Sequence, residues 1–535
     1  MVFCTYLSTF SVLSLNNWIV KHLQTTIYDN SFIINRVVSY VSKRQAVVSR
    51  LSQARPRSRF GEQTFGNDVV FTVDGQETFR QIYEKIHLAK TSVHIANYDL
   101  DPALRFVRNS DGLDQHVSHH QHEAYPLQEL LVEKAKEGVE VKIIVWEPRL
   151  VLRILPGADE RGIDGRADEV NVINEIAERY GISKKLMLRI DSSAPSLTSA
   201  HHEKIVIVDN QVAFCGGLDL SRGKWDTSSH DYDNPLRDAD SEPWHDVHAM
   251  VTGPVVWDLV YHFHQRWRYS QSRNVKKVRN LRIRSNYPVR GNQGNVQAVA
   301  LRTWNELDRH GGIQAWYAAM FRKAKNSIYI ENQFPFQNSF ATTLLEKRLK
   351  EERQLKVIIV CPMEPNLPGF IGSMIAKMSV NDVNDNLAAL RRAGDGIRVK
   401  TYSLVSQHPT IATKRRQIYV HSKIMIVDDK WITIGSANID KNGFRDSSEF
   451  NLGITSPRLA SELRMRLWKE HLQDASLEPD FEQGFHAWEK AANENGRYVS
   501  EGKMMKGHVY YYNFEEMGMP PPYPDAKGST KFELL

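Results

Sequence analysis

Two stretches of the chain, His201-His202-Glu203-Lys204-Ile205-Val206-Ile207-Val208-Asp209 and Val420-His421-Ser422-Lys423-Ile424-Met425-Ile426-Val427-Asp428, carry one pattern, H-x-K-x4-D. A glycine-led turn follows each, Gly216-Gly217-Leu218-Asp219 and Gly435-Ser436-Ala437-Asn438. His to His and Gly to Gly are displaced by the same 219 residues, 421 − 202 and 435 − 216. A fixed displacement marks an internal repeat, so the chain must fold as two related units. Within each copy, residues two apart share a strand face, which puts His202 with Lys204 and His421 with Lys423. Ile205 and Ile207, or Ile424 and Ile426, then point to the core.

The repeat extends outward from the motifs. Ala89 to Asn97 matches Ala324 to Asn332, each the end of a helix entering a strand, and Lys142 to Val145 matches Lys356 to Val360. Phe79, Ile82, Ile86 and Ala89 fall at helical spacing before the first of these strands. Ile313, Trp316, Ala319, Met320 and Ala324 do the same before the second. Helix and short β-branched strand alternate, which predicts an α/β fold: two pseudo-symmetric repeats, each a central sheet flanked by helices, sharing one site.

At 535 residues there is room for a lead (1–69), a first repeat (70–270), a basic linker (271–296), a second repeat (297–475) and a tail (476–535). Between Leu259 and Asn305 no residue is acidic and ten are Lys or Arg, among them Arg266, Arg290 and Arg302, against a net charge of +6 for the whole chain. Such a run is either a solvated connector or an attractor of phosphate-bearing surfaces. Lys414-Arg415-Arg416, just before the second motif, is placed for a membrane-facing lip.

The three cysteines, Cys4, Cys215 and Cys361, form neither C-x-x-C spacing nor an even set, which argues against a disulfide framework and for a reducing compartment. Met1 to Val20 is uncharged yet interrupted by Ser, Thr and Asn, a weak match to a targeting or anchoring segment. No segment elsewhere reads as a membrane span. His116, His119, His120 and His122 crowd a polar loop without a metal-site spacing, so no metal and no cofactor is expected. Trp257, Phe263 and Trp267 read as core. The tail's Tyr510-Tyr511-Tyr512 is expected to pack back on the body, and Pro520-Pro521-Pro522 to end helical order.

Two imidazoles and two ammoniums supply what phosphodiester cleavage needs without a metal. One neutral His attacks phosphorus, the other, protonated, gives its proton to the leaving oxygen, and the lysines hold the non-bridging oxygens. Each His also needs an acceptor on its second ring nitrogen. Glu449 is the candidate in the second half, and Asp246 of Pro243-Trp244-His245-Asp246 its counterpart in the first. Asp209 and Asp428 belong to the motif, although their place at the end of a strand fits a turn that braces it better than direct chemistry.

With the flanking blocks, the chain resembles the eukaryotic type of phospholipase D. These blocks are Gly216 to Leu220 with Gly223-Lys224-Trp225-Asp226, then Pro243 to Val247 followed by Gln265-Arg266-Trp267, Ile328 to Phe334, and Leu367 to Phe370. The likeness covers roughly residues 70–475. It implies hydrolysis of a glycerophospholipid, usually phosphatidylcholine, to phosphatidate and free head group, with transfer of the phosphatidyl group to alcohols. It also implies His202 as nucleophile and His421 as general acid, a choice that the symmetry of the motifs leaves open. Gly217, Asp219, Ser436 and Asn438 would line the phosphate pocket.

Only about 70 residues precede the first repeat, too few for the lipid-binding modules that often lead such chains. Membrane contact is therefore expected to be peripheral, from the cytoplasmic side, with anionic lipid met by the basic segment 266–290. The acidic stretch Asp226 to Glu242 is expected to be a variable loop near the site. Two other readings stay open: a nuclease of the same superfamily, disfavoured by the lipid-type blocks and the modest net charge, and an inactive scaffold, disfavoured by two complete motifs. No nucleic-acid partner is expected.

Overall fold

The computed structural model describes residues 61–108, 126–147, 166–193, 199–239, 241–272, 278, 281, 294–304, 306–307, 312–364, 370–524 and 526. The segment Met1 to Val20, the histidines at 116–122, most of the basic linker, Leu367 to Gly369 and Cys4 lie outside the described residues.

The first half runs β1 (Gln63–Val73), α1 (Asp74–His87), β2 (Ser92–Asn97), α2 (Leu127–Lys136), β3 (Glu140–Trp146), α3 (Arg166–Arg179), β4 (Leu186–Asp191), β5 (Ile205–Val208), β6 (Val212–Gly216), β7 (Trp244–His245), β8 (Val247–Thr252) and α4 (Val256–Ser272). The second runs β9 (Val296–Thr303), α5 (Gly312–Lys323), β10 (Ser327–Asn332), α6 (Ser339–Glu351), β11 (Lys356–Val360), α7 (Phe370–Ala393), β12 (Val399–Gln407), β13 (Arg415–Val420), β14 (Lys423–Val427), β15 (Trp431–Gly435), β16 (Glu449–Thr455) and α8 (Pro457–Leu472). A final helix, α9 (Phe481–Ser500), and a short strand, β17 (Val509–Tyr511), follow.

Strand order repeats between halves. The first sheet reads β4-β3-β2-β5-β6-β8-β1 and the second β12-β11-β10-β14-β15-β16-β9, with the first three strands of each parallel and the rest antiparallel. The strands at the parallel end are buried on both faces: β10 has no exposed position, and Ile358 and Ile359 of β11 are sealed from solvent. That explains their unbroken apolar runs. β1 also pairs with β9, Gln63 opposite Val299, with an irregularity between Thr64 and Asn67 that lets one strand serve both sheets.

Two further pairings stitch the halves near the motifs. β7 runs parallel to β13, with Trp244 opposite Tyr419 and His245 opposite Val420. His201 forms a parallel bridge with Ser448. Both joins are short, and both lie beside a motif histidine.

The tail is part of the second half. β17 adds antiparallel to β12, Tyr511 opposite Tyr402, and Trp488 of α9 is wholly buried with its ring 5.1 Å from Tyr402 and 6.1 Å from both Tyr329 and Trp468. Trp257, Phe263 and Trp267 are buried in the core that α4 shares with the first sheet, Phe263 stacking on His94 at 4.6 Å. Cys215 and Cys361 are free and buried, and burial raises both thiols.

The basic run needs correction at two described positions. Arg266 is buried, 2.7 Å from Asp191 and also bonded to Glu203, while Arg302 is buried and donates to Gln265 at 2.6 Å. Their charge is spent on internal partners and offers nothing to a lipid surface. Among the described residues no helix is long and apolar enough to cross a membrane.

Because Trp488 fills a closed aromatic site, Trp488→Ala is expected to cost about 3–5 kcal/mol. Chemical denaturation monitored by circular dichroism checks this. An unchanged midpoint would mean that α9 is dispensable to the fold.

Candidate active site

Each motif begins where a chain crossing between halves enters a buried strand. Lys204 stands just before β5 and Lys423 opens β14, so each lysine is anchored by an apolar strand that cannot move without uncovering the core. Their ammonium groups are buried. Lys204 donates to the His202 carbonyl at 3.0 Å, lies 3.3 Å from Asp219 and sits 4.9 Å from the Tyr98 ring centre. Lys423 donates to the His421 carbonyl and, at 3.1 Å, to Gln333.

The histidine partners are exchanged between the halves. His202 Nδ1 lies 3.1 Å from both carboxyl oxygens of Glu449, and His421 Nδ1 lies 2.7 Å from Asp246 Oδ2. The expectation that Glu449 serves its own half's imidazole, and Asp246 likewise, is therefore corrected. The cause is the pair of short joins. His421 N donates to the His245 carbonyl at 2.8 Å, and His202 N donates to the Ser448 carbonyl at 2.8 Å, so each imidazole is laid beside the opposite half's carboxylate. Each half carries the other's orienting group.

Gly217 and Ser436, expected in a phosphate pocket, are also corrected. A Cβ on Gly217 would stand 2.2 Å from Asp246 Oδ1, so the bare glycine is what lets that carboxyl reach His421. Ser436 is buried and donates to Glu449 Oε2 at 2.5 Å. Both buttress the orienting carboxylates. Asp219 compensates Lys204, and it also accepts from the Asp99 backbone at 3.1 Å. Its equivalent Asn438 turns instead to Gln333 at 3.4 Å and leaves its own Oδ1 without a hydrogen-bond partner.

Asp209 and Asp428 stand about 16 Å from their lysines along the strand, too far to join the cluster. Members of the motif in sequence, they stand outside the reacting cluster in space. Asp209, at φ +54°, accepts the backbone N–H groups of Lys90 (2.9 Å), Thr91 (2.7 Å) and Ser92 (2.9 Å). Asp428, at φ +50°, accepts those of Lys325, Asn326 and Ser327 at 2.8 to 2.9 Å. Each ties the far end of the motif strand to the start of β2 or β10.

Electrostatically the cluster is buried and cationic. Burial, then Lys204 and Lys423, holds the His202 imidazolium well below its ordinary range, and burial with the same two lysines does so for His421. Burial pushes Glu449 up to about 8 and Asp246 up to about 7. Burial also brings Lys423 down to about 7. Each imidazole–carboxyl pair thus shares a proton at neutral pH rather than forming a full ion pair. Among the described residues neither Nε2 of His202 nor that of His421 has a hydrogen-bond partner, so both are left for a ligand.

Four neighbours escaped the motif reading. Tyr98 meets His202 edge-on at 4.9 Å, Trp244 packs 4.9 Å from His421, Lys224 lies 3.6 Å over the Trp244 ring, and Gln333 receives Lys423. Lys224, Trp244 and Gln333 sit in blocks that stood out in the sequence, whereas nothing local marks Tyr98. The loop at 226–242 is not a free surface feature, because Asp226 and His230 are fully buried.

The site and the repeat agree with what the chain is similar to. A family model described as "Phospholipase D" matches residues 85–306, and one described as "Cardiolipin synthase, PLD-like domain" matches 317–470. The chain belongs to the phospholipase D superfamily. Among relatives, "Phospholipase D alpha 1" of Carica papaya is 29% identical over 66% of this chain and 60% of that protein. "Phospholipase D alpha 2" of Arabidopsis thaliana is 27% identical over 84% of this chain and 72% of that protein. The chain thus spans about three fifths of the papaya protein's length. A solved phosphatidylserine synthase from Haemophilus influenzae Rd KW20 is 13% identical with a TM-score of 0.47, covering 82% of this chain and 95% of that one.

The exchange of partners has a direct spectroscopic consequence. Glu449→Gln is expected to alter the tautomer of His202 and leave His421 unchanged, and Asp246→Asn to do the reverse, read from nitrogen shifts of labelled histidines. The opposite assignment would contradict the crossed arrangement. Asp209→Ala is expected to lower stability by about 1–2 kcal/mol, since it strips acceptors from three backbone donors, while leaving both imidazole signals in place.

Proposed function

We propose that the chain is a phosphodiesterase of the phospholipase D type, cleaving the distal phosphodiester bond of glycerophospholipids to phosphatidate and free head group, and transferring the phosphatidyl group to alcohols. The observation that carries this is the pair of open Nε2 atoms, each backed by a carboxyl group from the opposite half, among buried ammonium groups. The names of the papaya and Arabidopsis relatives support the same substrate class.

In the first step the Nε2 lone pair of neutral His202 attacks phosphorus and the bond from phosphorus to the head-group oxygen breaks. That oxygen leaves with the proton of His421. Lys204 and Lys423 face the non-bridging oxygens, whose charge is strongest at the transition state. In the second step water or an alcohol gives its proton to His421 and attacks phosphorus, and the P–N bond breaks to restore His202. Glu449 and Asp246 hold the tautomers and share the transient positive charge.

An anionic phosphate offsets the two ammoniums that depress both imidazoles, so binding substrate raises their proton affinity. The acid form of His421 is thereby favoured at the moment it is used. The face offered to a bilayer is the turn before β13, which exposes Ile411 and Lys414, together with Met504, exposed in the segment that Arg415 bonds at Lys503. Apolar and basic side chains together suit the face of an anionic bilayer, approached peripherally from the cytoplasmic side.

Vesicles of phosphatidylcholine with ethanol test the reading: phosphatidate and phosphatidylethanol are expected, and absence of both where a papaya-type enzyme works would refute it. His202→Ala and His421→Ala should each lower kcat by at least about 10³-fold. The pH profile of kcat/KM follows from the site. His202 attacks only when neutral, and its affinity for a proton lies below 6.5, so the acidic limb falls below that value. The proton for the leaving group resides in the His421–Asp246 pair, whose carboxyl retains it to about 7, so the rate should fall as pH rises past about 7. An optimum above pH 8 would contradict this assignment.

A further inference from the structure

One residue before Asp246, the ring of His245 faces a second buried cluster. Asp74 at the start of α1, His230 in the loop after β6, His245 on β7 and Glu470 near the end of α8 bring four donor atoms together within 4.8 Å of one another. The residues are distant in sequence and come from four separate elements. None of the four side chains is more than 6% exposed.

Several separations lie close to those of a coordination sphere, with Asp74 meeting the two histidines through different oxygens. A tetrahedral centre with bonds of 2.0 to 2.2 Å holds its ligand atoms about 3.3–3.6 Å apart. Here His230 Nε2 lies 3.4 Å from Glu470 Oε1 and 3.6 Å from Asp74 Oδ2, and His245 Nδ1 lies 3.2 Å from Glu470 Oε1 and 2.9 Å from Asp74 Oδ1. Three of the four exceed an ordinary charged hydrogen bond, and Asp74 Oδ2 is buried and aimed inward without a hydrogen-bond partner.

The outer contacts match as well. Metal-bound histidines characteristically present the second ring nitrogen to a carboxylate, which fixes the tautomer. His230 Nδ1 is 2.9 Å from Asp226, itself held by Arg237 at 2.9 Å, and His245 Nε2 is 2.9 Å from Glu331. The first half neutralises its buried Asp191 and Glu203 with the guanidinium of Arg266. Among the described residues no lysine or arginine reaches Asp74 or Glu470, and a divalent cation between neutral imidazoles would balance both.

We propose that Asp74, His230, His245 and Glu470 bind a divalent cation of the zinc class in tetrahedral coordination. Two nitrogens and two carboxylate oxygens suit that ion better than calcium or magnesium, which favour oxygen alone. The ion ties α1, the 226–242 loop and α8 to β7, which Asp246 directly follows, and so positions the partner of His421 without touching substrate. This site does not depend on the proposed reaction.

The test is elemental analysis of the full chain purified without chelators or nickel. Close to one zinc per chain is expected, with zinc-edge absorption showing nitrogen and oxygen at about 2.0–2.2 Å and no sulfur. His230→Ala and Asp74→Ala should each reduce the bound metal by roughly tenfold or more. If either variant fails to fold, the wild type still decides: stripping with a strong chelator should lower its melting temperature, and adding zinc should restore it. Metal-free wild-type protein whose melting temperature ignores added zinc overturns the proposal and leaves an imidazolium–carboxylate network. Zinc retained by both folded variants overturns it equally.

Discussion

The structure depends on an exchange of two short backbone joins between its halves. One sets Pro243 to His245 beside Tyr419 to His421, and the other sets Ala200 to His202 beside Ser448. They contribute few hydrogen bonds, each worth about 1 kcal/mol net. Their importance is geometric, because they bring Asp246 to His421 and Glu449 to His202 across the pseudo-twofold. Neither half alone contains an oriented imidazole, so the site exists only when the halves are docked.

The exchange also sets the electrostatics. Gathering two carboxyls and several ammoniums in a largely buried space would be costly if every group were charged. The cost is limited by letting imidazole and carboxyl share one proton per pair, with Ser436 and the backbone N–H of Val247 completing the carboxyl hydrogen bonds. Symmetry is broken one step away. Asp219 is close enough to balance Lys204, whereas its equivalent Asn438 carries no charge and turns to Gln333, leaving Lys423 with neutral hydrogen-bond partners. Two nearly identical motifs thus acquire different surroundings, which is a physical basis for assigning them different roles.

Much of this was legible along the chain, and the reasons are specific. The common displacement of motifs and turns made two related units inescapable, and the apolar run after each motif marked β5 and β14, although His202, Lys204 and His421 precede those strands instead of sharing a face on them. What failed were inferences that assumed neighbours in sequence to be partners in space. Gly217 and Ser436 looked like pocket residues because they follow a motif, yet their role is set by Asp246 and Glu449 approaching from elsewhere. Arg266 and Arg302 looked like surface charge because they lie in a run of bases, yet helix α4 and strand β9 turn both inward. The histidines at 116–122 are dense in sequence, while the buried cluster of Asp74, His230, His245 and Glu470 is dispersed over almost four hundred residues.

The sequence by itself determined the α/β repeat, the two H-x-K motifs at equivalent places in it, and the apolar strands that follow each motif. These follow from local periodicity and from self-similarity, both properties of the chain as a line. Only the tertiary structure decided which carboxylate serves which histidine, which backbone groups Asp209 and Asp428 tie down, and that four distant residues meet behind Asp246. Such pairings arise from long-range joins between halves, and the free energy that fixes them resides in contacts with no signature in local sequence.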